Sequence, residues 1–185
     1  MADLQIIPSH SAGPLKLNAS PDDILKQIQE LYASLAGFDP IMVQKGIVGQ
    51  EIDVTKDSCS DGDFTFRYIS DMFWFLVTYR DNRAVEISVD RLIREWMPVT
   101  LCGFDLFETP ADELIPALKG KAPCVCDTED EDLGYEYRFD TLGVRFWRED
   151  AFHPKLLQDE NYVQEMAEVL EDQKHFRYFN IVSIY

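Results

Sequence analysis

The chain has 185 residues, 46% apolar and 28% charged, enough to bury a hydrophobic core without a disulfide or metal staple. With 34 Asp and Glu against 17 Lys and Arg, its formal net charge is −17. That charge disfavours nucleic-acid backbones and anionic membrane surfaces and favours cations and basic proteins. The densest apolar run, Met72 to Tyr79, is eight residues, too short to span a bilayer.

The opening MADLQIIPSH lacks the cationic and apolar regions of a signal peptide, so the four cysteines are expected as thiols in the cytoplasm. Pro8, Gly13 and Pro14 predict a loose lead-in over residues 1–19. Ser20-Pro21-Asp22-Asp23 then opens a helix. Ser20 caps it, proline fits its first position and Asp23 completes a capping box. Ile24, Leu25, Ile28, Leu31, Tyr32 and Leu35 form one apolar stripe, and Gly37 ends the helix. Residues 46–54 read as a strand and 56–63 as a polar loop with an Asp61-Gly62 turn. A meander follows. Residues 64–69 alternate, 72–79 are apolar on both faces and therefore central, and 84–89 set Val85, Ile87 and Val89 against Glu86 and Ser88. Asp81-Asn82 tolerates positive φ and supplies a tight turn.

Residues 90–97 predict one helical turn, and 99–107 a strand bulged at Gly103. Thr109-Pro110-Ala111-Asp112 repeats the helix-start pattern. Leu114, Ile115 and Leu118 face inward, and Pro116 keeps that helix short or kinked. YEYRF and GVRFW form a second hairpin, closed by a type I turn with a glycine bulge at Gly143. A last helix over 159–173 directs Val163, Met166, Ala167 and Leu170 inward, and FRYFNIVSIY closes the chain as a strand. The fold class is α+β: an antiparallel β-sheet, made of a meander and hairpins, packed by about three helices in one domain over 20–185. The two proline-started helices, each followed by an aromatic hairpin, give residues 20–97 and 98–185 the character of two weakly repeated halves.

The charge is uneven. Residues 105–136 hold ten acids and two lysines, a balance of −8; residues 149–172 hold eight acids and one lysine, a balance of −7. Cys124 and Cys126 would share one face of a strand. No second CxxC and no HxxxH accompany them, and His10, His153 and His175 are scattered, so two small apolar strand residues is the simpler reading. Asp57, Asp61 and Gly62 match three places of a calcium loop, but Cys59 and Tyr68 stand where ligands are needed. There is no G-x-S-x-G elbow, P-loop or dinucleotide fingerprint. No catalytic residue, metal ligand or cofactor is expected. What remains is Asp127, Glu129, Asp130, Glu131, Asp132 and Glu136, a run with no basic residue inside it. It reads as a solvated loop or as a docking face for a basic protein. Beside it stand Tyr135, Tyr137 and Trp147, residue types that anchor interfaces and that on a hairpin also build cores.

PVTLCGFDLFETPADELI, GYEYRFDTLGVRFWRED and FRYFNIVSIY, within residues 99–185, together resemble bacterial cytosolic proteins of the immunity type that accompany polymorphic toxins. The resemblance lies in hydrophobic spacing and turns, and it implies a non-enzymatic binder that shields a cell from its own toxin. The expected function is thus an acidic protein-binding domain, an immunity-like inhibitor that docks a basic partner such as a toxin through Asp127 to Glu136, with Tyr135, Tyr137 or Trp147 as anchors. Two rivals stand beside it: a small cytosolic hydrolase or transferase using a Cys or carboxylate site, and a structural or regulatory module whose acidity serves solubility.

Overall fold

A computed structural model describes residues 3–39, 42, 51–58 and 63–185. The first helix, α1 (Pro21–Leu35), follows the rules written at its start. Asp23 N–H donates to Ser20 Oγ at 3.2 Å, the Asp23 carboxylate receives the Ser20 N–H at 3.4 Å, and Gly37 turns the chain out at φ +74°. Its stripe buries Ile24, Ile28, Leu31 and Tyr32.

Residues 1–19, expected loose, carry three strands: β1 (Leu4–Ile7), β2 (Ser11–Ala12) and β3 (Leu15–Lys16). They are held because β1 pairs in parallel with β8 (Val99–Leu101) and buries Leu4 and Ile6, a partner too distant in sequence to be read locally. The expected strand over 99–107 is instead a hairpin of β8 with β9 (Phe104–Asp105). Cys102 and Gly103, at φ +53° and +87°, form its two-residue turn rather than a bulge. These strands make a five-stranded sheet in the order β3-β2-β1-β8-β9.

The larger sheet is wholly antiparallel. It contains β4 (Asp53–Ser58), β5 (Phe64–Ile69), β6 (Trp74–Arg80), β7 (Arg83–Asp90), β10 (Val125–Cys126), β11 (Glu136–Phe139), β12 (Val144–Trp147) and β13 (Ile181–Ile184), in the order β10-β11-β12-β13-β7-β6-β5-β4. Lys56–Ser58, expected in a loop, extend β4, where the Lys56 ammonium lies 4.1 Å over the Phe64 ring. The expected strand over 46–50 and the Asp61-Gly62 turn lie outside the described residues. Asp81 and Asn82 turn the β6–β7 hairpin at φ +49° and +61°. Thr78 pairs with Glu86 and Tyr79 with Ala84, so Val85 is the extra residue of a bulge and leaves the expected inner set. Gly143, at φ +58°, closes the β11–β12 turn with its N–H on Asp140 O at 3.2 Å.

The second helix, α2 (Ala111–Lys119), starts after Pro110 without the side-chain cap expected of Thr109. In the larger sheet α1 precedes the meander β4–β7, α2 precedes β10–β13, and the last strands of the two meanders pair antiparallel. One core joins the inner face of the larger sheet (Phe75, Val77, Ile87, Val89, Phe139, Phe146, Ile184) to α1, α2, β1 and β8.

The expected helix over 159–173 is broken into α3 (Glu160–Glu165) and α4 (Leu170–Gln173), with a 3-10 turn at Lys174–Arg177. Glu165, Glu168, Glu171 and Asp172 stand at like-charge i,i+3 and i,i+4 spacings across the break, without a lysine or arginine between them. Ala167, expected inside, is exposed, and Val163, Met166 and Leu170 are half-buried. The closing strand is confined to Ile181–Ile184, because Lys174–Arg177 are helical.

Candidate functional site

Arg148 sets the geometry of the acidic side. It follows the end of β12, and only 1% of it is exposed. Nε donates to Gly134 O at 2.7 Å. Nη1 donates to Phe176 O at 3.1 Å and Phe152 O at 3.4 Å, and Nη2 to Asp132 O at 3.1 Å and the Tyr137 hydroxyl at 3.3 Å. Every edge of the guanidinium fork is thereby satisfied by neutral oxygens. Burial pulls the Arg148 pKa down, with the Tyr137 oxygen acting against it. The rings of Tyr137 and Phe179 lie 5.8 and 5.9 Å from the guanidinium carbon. One side chain therefore gathers the 132–134 loop and both ends of the 152–176 excursion.

The acidic run wraps this hub. Asp127 Oδ1 accepts the N–H groups of Tyr135 and Glu136 at 3.0 and 3.1 Å and closes the loop. Asp130 caps a 3-10 turn, Glu131–Leu133, and takes Lys155 Nζ at 2.6 Å; Asp132 takes the same ammonium at 2.8 Å. The Lys155 hydrogen bonds and charge hold the Asp130 carboxyl below the ordinary carboxylate range. Glu131 is bridged to Lys119, and Glu136 stands 3.7 Å from Arg145. Glu129 is exposed and forms no ion pair among the described residues.

Of the aromatic candidates, Tyr135 and Trp147 are 41% and 38% exposed. Tyr137, expected as an anchor, is 1% exposed and cannot meet a partner. Its hydroxyl donates to Glu131 O and receives the Gly134 N–H at 3.2 Å, and burial pushes its pKa up to about 12. The β11 pleat decides this: Tyr137 alternates with Glu136 and Arg138 and takes the core side.

Sequence reasoning missed the countercharges. Lys155 is the one lysine of the second acidic window, and it binds two carboxylates of the first. Arg177 forms a two-bonded fork with Asp112, 2.7 Å on each arm, and reaches Glu113 at 3.5 Å. Burial alone raises the Asp112 carboxyl, and Arg177 more than reverses this, so it titrates low. Exposed Glu149, Glu160, Glu165, Glu168 and Asp172, like Glu129, form no ion pair among the described residues. The two windows meet at Lys155 and at Arg148, with those carboxylates left over.

Cys124 and Cys126 flank Val125 at the sheet edge. The Cys124 thiol donates to Val125 O at 3.7 Å, and burial pushes it up to about 11, which keeps it protonated and poorly nucleophilic at neutral pH. Among the described residues no three His, Cys, Asp or Glu side chains gather as a metal-holding group, and no helix is long and apolar enough to cross a membrane. An open cleft of about 600 Å³ is lined by Phe152, Leu157, His175 and Tyr178, with Lys174 and Arg177 tied to Glu171 and Asp112. No family model matches the chain, and neither does any curated protein or solved structure.

Proposed function

We propose that the protein is a non-enzymatic, acidic protein-binding domain that meets a basic partner through the side formed by residues 127–136 and 149–172. One observation carries this reading: Lys155 bonds to Asp130 and Asp132, and Arg148 to the backbone of Asp132, Gly134, Phe152 and Phe176, so residues 127–136, with six acids and no base, are joined to the 149–172 segment, whose balance is −7. Concentrated like charge opposes the compact state, and it speeds encounter with an opposite charge. The interior cations offset part of it, and Glu129, Glu160, Glu165 and Glu168 remain for a partner.

In its sharper form the partner is a basic toxin and the domain an immunity-like inhibitor, which covers the toxin's cleft and imitates its anionic substrate. The resemblance of residues 99–185 supports that form. A cytoplasmic setting fits the three described cysteines, all free thiols.

The test is capture from the source lysate at low and high salt, using the wild type and a variant carrying Glu129→Gln, Glu160→Gln, Glu165→Gln and Glu168→Gln. The reading expects a basic protein held by the wild type at low salt and released both by salt and by the substitutions. Identical capture by both forms at both salts refutes it.

A further inference from the structure

The outer face of the larger sheet carries a second feature, legible only through strand register. Cross-strand pairing runs from Glu136 to Trp147, from Trp147 to Ile181 and from Ile181 to Asp90. The Phe75–Val89 register sets Trp74 beside Asp90, and pairing continues from Trp74 to Ile69 and from Ile69 to Asp53. Seven strands thus place acid, Trp, Ile, acid, Trp, Ile and acid in one line, about 29 Å long at ordinary strand spacing. Ile69 and Trp147 are 40% and 38% exposed, and Trp74 and Ile181 are half-buried.

Two observations mark the middle of this line as incomplete. The Trp74 indole Nε1 is buried and has no hydrogen-bond partner among the described residues, although such a donor ordinarily finds one. Next to it, a cavity of about 30 Å³ is lined by Trp74, Leu76, Ser88, Asp90 and Ile181. Asp90 spends one oxygen on the Leu92 N–H at 2.8 Å and forms no ion pair among the described residues; burial lifts its carboxyl above the ordinary range. The arginines of the adjoining row do not serve Asp90, since Arg67 is bonded to Asp57, Arg138 to Asp140, and Arg145 to Glu86 and, at 3.7 Å, to Glu136 at the end of the row.

We propose that this row is a docking surface for a partner protein segment that presents cationic and apolar side chains on one face. The two Trp–Ile pairs seat the apolar groups, and Asp53, Asp90 and Glu136 receive the cations. Charge selects this occupant. A second copy stacked face to face would set the row's acids among their own kind, and a nucleic acid would meet them with phosphates. The surface shares only Glu136 and Trp147 with the acidic side, so shifts at its other residues distinguish the two.

The probe is a synthetic lysine–leucine peptide that sets both residue types on one face, titrated into the whole labelled chain and followed by amide and indole NMR shifts, with polylysine of equal length as the charge-only control. The row predicts that the lysine–leucine peptide moves Ile69, Trp74, Asp90, Trp147 and Ile181, and that polylysine does not. Trp147→Ser combined with Ile69→Ser weakens binding about tenfold, as truncating anchors does. Asp53→Lys, at an exposed edge position, weakens it without touching the apolar groups. Shifts confined to residues 127–132 and 159–172 with both peptides overturn the row and leave the acidic side standing. Self-association abolished by Trp147→Ser overturns it in favour of a second copy. No shift in either place overturns the row and argues against the acidic side as well.

Discussion

The Arg148 guanidinium meets the Tyr137 hydroxyl at 3.3 Å, in an interior where its remaining bonds all end on backbone carbonyls. A buried cation held by neutral oxygens fixes backbone rather than a charge partner. Here the backbone it fixes belongs to the two acidic segments. Asp112 adds a compensating negative charge at longer range.

Replacing Arg148 with methionine strands several carbonyls and a phenol and lowers stability by about 3–5 kcal/mol. Arg148→Lys recovers little of this, because an ammonium cannot span the five acceptors of a planar fork. Urea unfolding measures the loss, and amide exchange at residues 132–134 and 152–153 rises before the rest of the sheet opens.

Tyr137→Phe costs about 1–2 kcal/mol, since its hydroxyl serves the Glu131 carbonyl, the Gly134 N–H and Arg148 at once. It leaves the affinity of any partner unchanged. Trp147→Ser behaves in the opposite sense, with stability within about 1 kcal/mol of the wild type and weaker partner binding. Paired denaturation and binding measurements separate the two.

Gly134→Ala places a methyl group 2.3 Å from Cys126 Sγ and 2.9 Å from the Tyr137 ring. Tyr137 is locked by its bonds, so the loop yields instead, and a loss of about 1–3 kcal/mol in thermal or urea unfolding is expected.

The Asp112–Arg177 fork gives stability a defined pH dependence. The folded-state pKa of Asp112 is lowered, so its contribution is complete above the ordinary carboxylate value and disappears as the pH falls through the folded value. Asp112→Asn is therefore less stable than the wild type at pH 7, and the two curves converge in acid. Unfolding midpoints from pH 7 to pH 2 show the convergence.

What was legible in the sequence was what chain neighbours decide. Ser20 and Asp23 cap α1 from three residues apart, and Asp81-Asn82 and Gly143 carry their own turn chemistry. Residues 1–19 misled because Pro8, Gly13 and Pro14 report on the backbone locally, whereas β1 is held by Val99 and Thr100. Arg148, between Trp147 and Glu149, reads as one more surface charge, and the acceptors that bury it come from four separate loop positions. The acidic run was visible as composition, but its ties to Lys155 and Lys119 were not. The row from Glu136 to Asp53 depends on six registers, and a one-residue slip in any of them would dissolve it.

The central claim, that the gathered carboxylates of residues 127–136 and 149–172 meet a positive partner, is tested most directly by the association rate of the captured basic protein as ionic strength is raised. A fall of about tenfold or more between low and physiological salt is expected for the wild type, and a nearly flat profile for the four-glutamine variant. Equal rates for both forms, unchanged by salt, would contradict it.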